Sequence, residues 1–167
     1  MFYSPVKNKK ALVTSAALLA VFAVMNATAP VFKGYSGVVA AVSLLFLAAS
    51  LYILIRFCVG SYSYEITHDT FVITKTTGQK SVTVANLLLS TAYGVSKKPN
   101  NAAASAEFKK KYGEISAKMS CYHNLFAKTY FYVTEFNGKT YAFEIEIDDR
   151  FAAALDEAVR AARKDFF

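Results

Sequence analysis

Two apolar stretches, residues 11–32 and 35–57, stand back to back near the start of the chain. Beyond Gly60 the pattern changes to alternating apolar and polar positions. Each stretch matches the roughly 20 residues a helix needs to cross about 30 Å of hydrocarbon. Neither contains an acidic residue, and only Lys33 and Gly34 separate them. Residues 1–60 are therefore expected to form a tail and a two-span helical hairpin. Residues 61–167 should then form one soluble domain on the same side as the N-terminus.

In that second part the period is first two. Tyr62, Tyr64 and Ile66 alternate with Ser61, Ser63, Glu65 and Thr67, which predicts a half-buried strand. A turn at His68-Asp69-Thr70 leads to a strand over 71–75. Gly78 breaks it, and a third strand begins over 80–84. Residues 86–90 read as a helical turn or bend, and 91–96 as a fourth strand. Pro99-Asn100-Asn101 signals a loop. The alanine-rich run from Ala102 to Lys111 predicts either a short helix capped by Asn100 or Asn101, or a mobile loop.

Ile115, Ala117, Met119 and Cys121 form the apolar row of a fifth strand, with Cys121 as a core residue. A sixth covers 128–136. Asn137-Gly138 then supplies the two φ > 0 residues of a type I′ hairpin turn. On the returning seventh strand, Tyr141, Phe143, Ile145 and Ile147 share one face. Glu144 and Glu146, with Asp148 and Asp149 beyond them, read as a solvated outer face. The period then becomes helical. Asp148 or Asp149 can cap a helix whose stripe is Phe151, Leu155, Ala158, Val159, Ala162 and Phe166.

The run Tyr64-Glu65-Ile66-Thr67-His68-Asp69-Thr70-Phe71-Val72-Ile73, the Asn137-Gly138 hairpin and the helix from Asp149 together resemble the pleckstrin-homology (PH) superfold. The resemblance is nearest to bacterial PH-like domains that follow a two-helix membrane hairpin, and it covers residues 61–167. It implies an α+β domain, a seven-stranded antiparallel sandwich or barrel capped by a C-terminal helix. Phosphoinositide-binding PH domains usually carry basic residues around their first hairpin loop. Here His68-Asp69-Thr70 has neither Lys nor Arg, a departure from that pattern.

Charge adds orientation. Of the net +7, the first sixty residues hold five basic groups (Lys7, Lys9, Lys10, Lys33 and Arg56) and no acid, which leaves about +2 for the domain. The excess thus flanks the spans and does not mark a nucleic-acid-binding face. Lysines before the first span and Arg56 at the end of the second put both termini in the cytoplasm of a plasma membrane, with the turn outside. A rival reading is a secretory signal cleaved after Ala27-Thr28-Ala29, with Pro30 awkwardly placed beyond the scissile bond. Asn26-Ala27-Thr28 also spells a glycosylation sequon, here inside a span. Small residues four apart, Ala16 with Ala20 and Gly37 with Ala41, are expected to pack the two helices together, a homodimer contact being the alternative. Asn26 is expected to bond to neighbouring backbone.

Chemistry is sparse. Cys58 and Cys121 have no paired spacing, so neither a disulfide nor a zinc site is indicated. His68 and His123 are the only histidines, and no Gly-rich phosphate loop occurs. No catalytic residue, metal or cofactor is expected. The candidate contact is the lysine group Lys97, Lys98, Lys109, Lys110 and Lys111, which near a bilayer can meet anionic headgroups. The expected function is a membrane-anchored PH-like binding or scaffolding module for a protein partner or a second copy. The alternatives are an anionic-lipid-responsive module using those lysines, and a small membrane enzyme or transporter accessory subunit.

Overall fold

A computed structural model of the chain describes residues 1–32 and 34–164. Lys33, expected in the connecting turn, and Phe166, expected on the terminal helix stripe, lie outside the described residues. The chain divides into two compact units. One holds residues 7–61 and 123–126, and the other holds the remainder.

The first unit is a helical hairpin. α1 (Lys10–Thr28) runs into a 3₁₀ turn at Ala29–Val31. α2 (Ser36–Ile53) continues as a π-helical turn, Leu54–Cys58. Three serines are buried in the pair beside Ala11 and Ala29. Ser15, Ser43 and Ser50 are buried, whereas Leu12, Val13, Val24, Leu44, Leu45 and Ile55 are exposed. The Ser15 and Ser50 hydroxyls lie 2.7 Å apart, and Ser50 also donates to the Ser15 carbonyl at 3.1 Å. Asn26 donates to the Phe22 carbonyl at 3.0 Å, as expected, and also across the hairpin to Ser43 Oγ at 2.8 Å.

The small residues do not behave as expected: Ala16, Ala20, Gly37 and Ala41 are exposed. The physical reason is that a hydroxyl or amide between packed helices needs a hydrogen-bond partner, while an alanine methyl does not. The serines and Asn26 therefore take the interface. Residues 123–126 join this unit through Asn124, whose Oδ1 accepts the Asn8 amide at 2.6 Å.

The second unit is α+β and contains two four-stranded sheets among the described residues. β1 (Phe2–Tyr3), β2 (Gly60–Ile66), β3 (Thr70–Thr77) and β4 (Lys80–Leu88) lie in that order in the first sheet. The second sheet has the order β5 (Ala92–Lys97), β7 (Tyr130–Phe136), β8 (Lys139–Ile145), β6 (Ala117–Cys121). α3 (Ala102–Tyr112) and α4 (Asp149–Lys164) complete the unit.

The expectation of seven antiparallel strands is corrected twice. Phe2–Tyr3 add an eighth strand, with Tyr3 opposite Tyr64 and the Ile66 amide bonded to the Met1 carbonyl at 2.7 Å. β6 pairs with β8 in parallel, because α3 carries the chain back to the start of that edge. β6 also starts later than the alternation suggested. As an edge strand it buries Cys121 but leaves Met119 42% exposed. Residues 86–88 continue β4, and the helical turn falls at Leu89–Thr91. The Asn137-Gly138 turn has φ of 50° and 70°, as a type I′ hairpin requires.

One core lies between the sheets and α4, with Tyr64, Phe71, Tyr132, Ile145, Phe151 and Leu155 fully buried. Its aromatic rings form a continuous line. Phe151 meets Tyr3 at 5.3 Å between centroids, Tyr3 meets Tyr64 at 6.4 Å, Tyr64 meets Phe71 at 6.3 Å and Phe71 meets Tyr132 at 4.9 Å. A smaller core lies on the other face of the second sheet, where Phe108 and Tyr112 of α3 cover Phe131, Val133 and Ala142. Asn101 caps α3 by accepting the Ala104 amide at 2.8 Å, which selects the helix over the loop. The covered face explains a further correction: Glu144, expected on a solvated face, is buried.

The Tyr64 hydroxyl donates to the Cys121 carbonyl at 2.5 Å and accepts the Glu146 amide at 3.0 Å. Tyr64→Phe removes both bonds within a buried site and should cost about 2 kcal/mol. Hydrogen exchange on the full chain in nanodiscs checks this. Protection of β2 and of amides around Glu146 should fall together, and unchanged protection would refute the role.

Candidate functional site

The five candidate lysines separate into two roles. Lys98 follows β5 and donates to Glu144 Oε1 at 2.7 Å, an oxygen that also accepts the Thr129 hydroxyl at 2.7 Å. This bond to Glu144 raises the Lys98 pKa against the opposing effect of burial. Lys97 lies 3.5 Å from Asp149 and over the Tyr130 ring. The Tyr130 hydroxyl donates to the same carboxylate. That hydrogen bond, then the Lys97 charge, holds Asp149 below the ordinary carboxylate range. Burial first, and then the bond to Asp149, push Tyr130 up to about 12. Lys97 and Lys98 are therefore paired within the fold. Lys109, Lys110 and Lys111 occupy the last turn of α3 and are exposed. There the carbonyl end of the helix dipole favours cations.

Three open clefts share Lys98 and Pro99. One, of about 350 Å³, adds Lys109 and Lys118 above Phe108, Ile115 and Phe131. A second, of about 320 Å³, adds Lys97 and Lys111. A third, of about 390 Å³, adds Lys97 and Lys128 beside Asp149. The structure thus draws Lys97, Lys98, Lys109 and Lys111 to adjoining clefts and adds Lys118 and Lys128, while Lys110 lines none of the three. The separation of Lys118 and Lys128 along the chain hid them, because β6 and the start of β7 reach these clefts only through the sheet pairing.

A different surface lies where the free edges of the two sheets approach. A groove of about 460 Å³ runs between Val84, Leu87 and Leu88 of β4 and Met119, Phe136, Tyr141 and Phe143 of the other sheet. β4 is an edge strand, and from Ser81 to Leu88 it carries no charge. Val82 and Leu88 are exposed. The edge of β5 beside α4 is closed instead. Its bulge at Tyr93 places Gly94 at φ +141°, where an added Cβ would come within 3.2 Å of Asp156 Oδ1. That same oxygen accepts the Val95 amide at 3.2 Å, and Arg160 holds the other carboxylate oxygen at 2.7 Å. The absence of charge along β4 was visible in the sequence, but its position at an edge was not.

No known family model, curated protein or solved structure matches the chain.

Lys98→Gln leaves the Glu144 carboxylate buried without its cation. Because Lys98 is half exposed, the loss should be nearer 2 kcal/mol than the larger penalty of a fully buried pair. Lys110→Gln should stay within about 0.5 kcal/mol. Thermal unfolding of the two variants distinguishes a structural lysine from a displayed one.

Alkaline stability is a second test. An unfolded tyrosine ionises near 10, whereas folded Tyr130 holds its proton to about 12. Its contribution is therefore complete below the unfolded value and disappears as pH rises through the folded one. Lys98, also raised, acts in the same sense, and burial of Tyr64 and Tyr132 pushes their hydroxyls higher still. The unfolding temperature should drop steeply between about pH 10 and 12, and less so in Tyr130→Phe.

Proposed function

We propose that this chain is a membrane-anchored binding module, not an enzyme, in which a two-span hairpin holds a PH-like domain that receives an extended polypeptide segment on β4. The α1–α2 pair buries serines and exposes leucines and valines, a distribution suited to lipid and costly in water. β1 precedes the hairpin and β2 follows it, and the two are hydrogen-bonded, so a spanning hairpin has to return to the side it left. The basic residues flanking the two apolar helices favour the cytoplasm as that side. With α3 and β6 set aside as an insertion, four strands remain in one sheet and three in the other, with α4 after them. That arrangement supports the PH-like reading.

The carrying observation is the β4 edge. An edge strand of nine residues with no charge after Lys80 presents a row of backbone donors and acceptors, which natural sheets ordinarily protect with charge, proline or a covering element. Beside it the apolar groove offers a place for alternate side chains of an added strand. Asp156 blocks the same mode at β5, and β4, at nine residues, is longer than the other edge strands β1 and β6.

A photo-reactive residue at Val82, in the full chain in its native membrane, should give discrete polypeptide adducts. Met119→Glu, on the partly exposed groove wall, should abolish them, while a probe at Ser96 should give none. Adducts that survive Met119→Glu, or that contain only lipid, would refute the strand-addition reading. Adducts to a second copy would identify the partner as this chain itself.

A further inference from the structure

We propose that the cleft bounded by Lys98, Lys109 and Lys118 binds an amphiphilic phosphate, with its head on the lysines and its apolar part on the aromatic floor. This site is separate from the β4 groove and rests on different observations. The cleft holds about 350 Å³, within the range of small-ligand sites. Its floor is Phe108, Ile115 and Phe131, and the two phenylalanine rings meet at 5.3 Å between centroids. The Lys118 ammonium lies 5.6 Å above the Phe131 ring, so it already stands at the junction of charge and apolar surface.

The three lysines are not equivalent. Lys98 is committed to Glu144, and that pair forms a fixed, nearly neutral wall. Lys109 and Lys118 have no carboxylate partner among the described residues. Two free ammonium groups facing one cleft match a phosphate, which has several acceptor oxygens and carries up to two charges. Lysine serves phosphate as a point charge without needing fork geometry. Glu114 also lines the cleft and opposes the anion. The apolar floor distinguishes this site from a plain anion patch. A bare phosphate would leave Phe108, Ile115 and Phe131 uncovered, whereas a short alkyl chain covers them. The source of such a ligand is either a bilayer lipid or a soluble alkyl phosphate.

The chain contains no tryptophan, so Ile115→Trp provides a unique fluorescent reporter in the cleft. The full chain carrying it, in phosphatidylcholine nanodiscs, should respond saturably to octyl phosphate. Inorganic phosphate and octyl glucoside should each bind at least about ten-fold more weakly. Lys109→Gln and Lys118→Gln should each weaken octyl phosphate roughly five-fold, and Glu114→Gln should strengthen it. Backbone NMR shifts at Lys118 and Phe131 in the unsubstituted chain provide the same readout without the reporter. Phosphatidylglycerol nanodiscs separate the sources. Occupation of the cleft without added ligand identifies the bilayer lipid, and a response only to added octyl phosphate identifies the soluble one. Equal binding of octyl glucoside, or undiminished binding after both lysines are replaced, would overturn the proposal.

Discussion

Tyr64 has no access to solvent, so its hydroxyl must find partners inside the protein, and it finds them on the other sheet. It donates to the carbonyl at the end of β6 and accepts an amide just past β8. Those two strands are the parallel pair, whose ends have no tight turn to hold them in register. One side chain from β2 thus fixes the spacing of the sheets and the termination of the pair. Burial raises its ionisation well above the usual range, so it stays a neutral donor across the pH range in which the fold exists. The aromatic line from Phe151 through Tyr3, Tyr64 and Phe71 to Tyr132 runs through this point.

The two units are built on opposite rules. In the β unit apolar side chains turn inward and lysines outward, as water demands. In the hairpin Ser15, Asn26, Ser43 and Ser50 turn toward each other and the aliphatic side chains turn away. Hydrogen bonds between Ser15 and Ser50 and between Asn26 and Ser43 tie the two helices together. Asn26 satisfies its own helix and its partner at once.

Much of the architecture was legible because period and turn chemistry are local. The two long apolar helices, the alternation over Tyr62, Tyr64 and Ile66, the Asn137-Gly138 turn and the stripe of α4 all follow from neighbouring residues. What escaped depends on distant pairing. Phe2–Tyr3 is too short to show a period, and it becomes a strand only because β2 is beside it. Glu144 alternates correctly with Phe143 and Ile145, yet α3 adds a second layer over its face. Ala16 and Gly37 carry a helix-packing spacing that the serines pre-empt. For the candidate site, the sequence supplied the charges but could not show which were already paired. Lys97 and Lys98 hold Asp149 and Glu144, contacts that cross from the end of β5 to residues about fifty positions away.

The pairing of β1 with β2 has a consequence for synthesis. The Met1 amine and the Ile66 carbonyl that accepts it at 2.6 Å are 65 positions apart, and the entire hairpin lies between them. The first strand emerges from the ribosome long before its neighbour exists, and Tyr3 waits longer still for Phe151. The sheet cannot close until both apolar helices have been made and the chain has returned to β1. Cleavage near Ala29 would discard the strand before it could pair. Until this loop closes, β2 has an unpaired edge on the side where β1 belongs, the form of exposed strand most prone to associate wrongly.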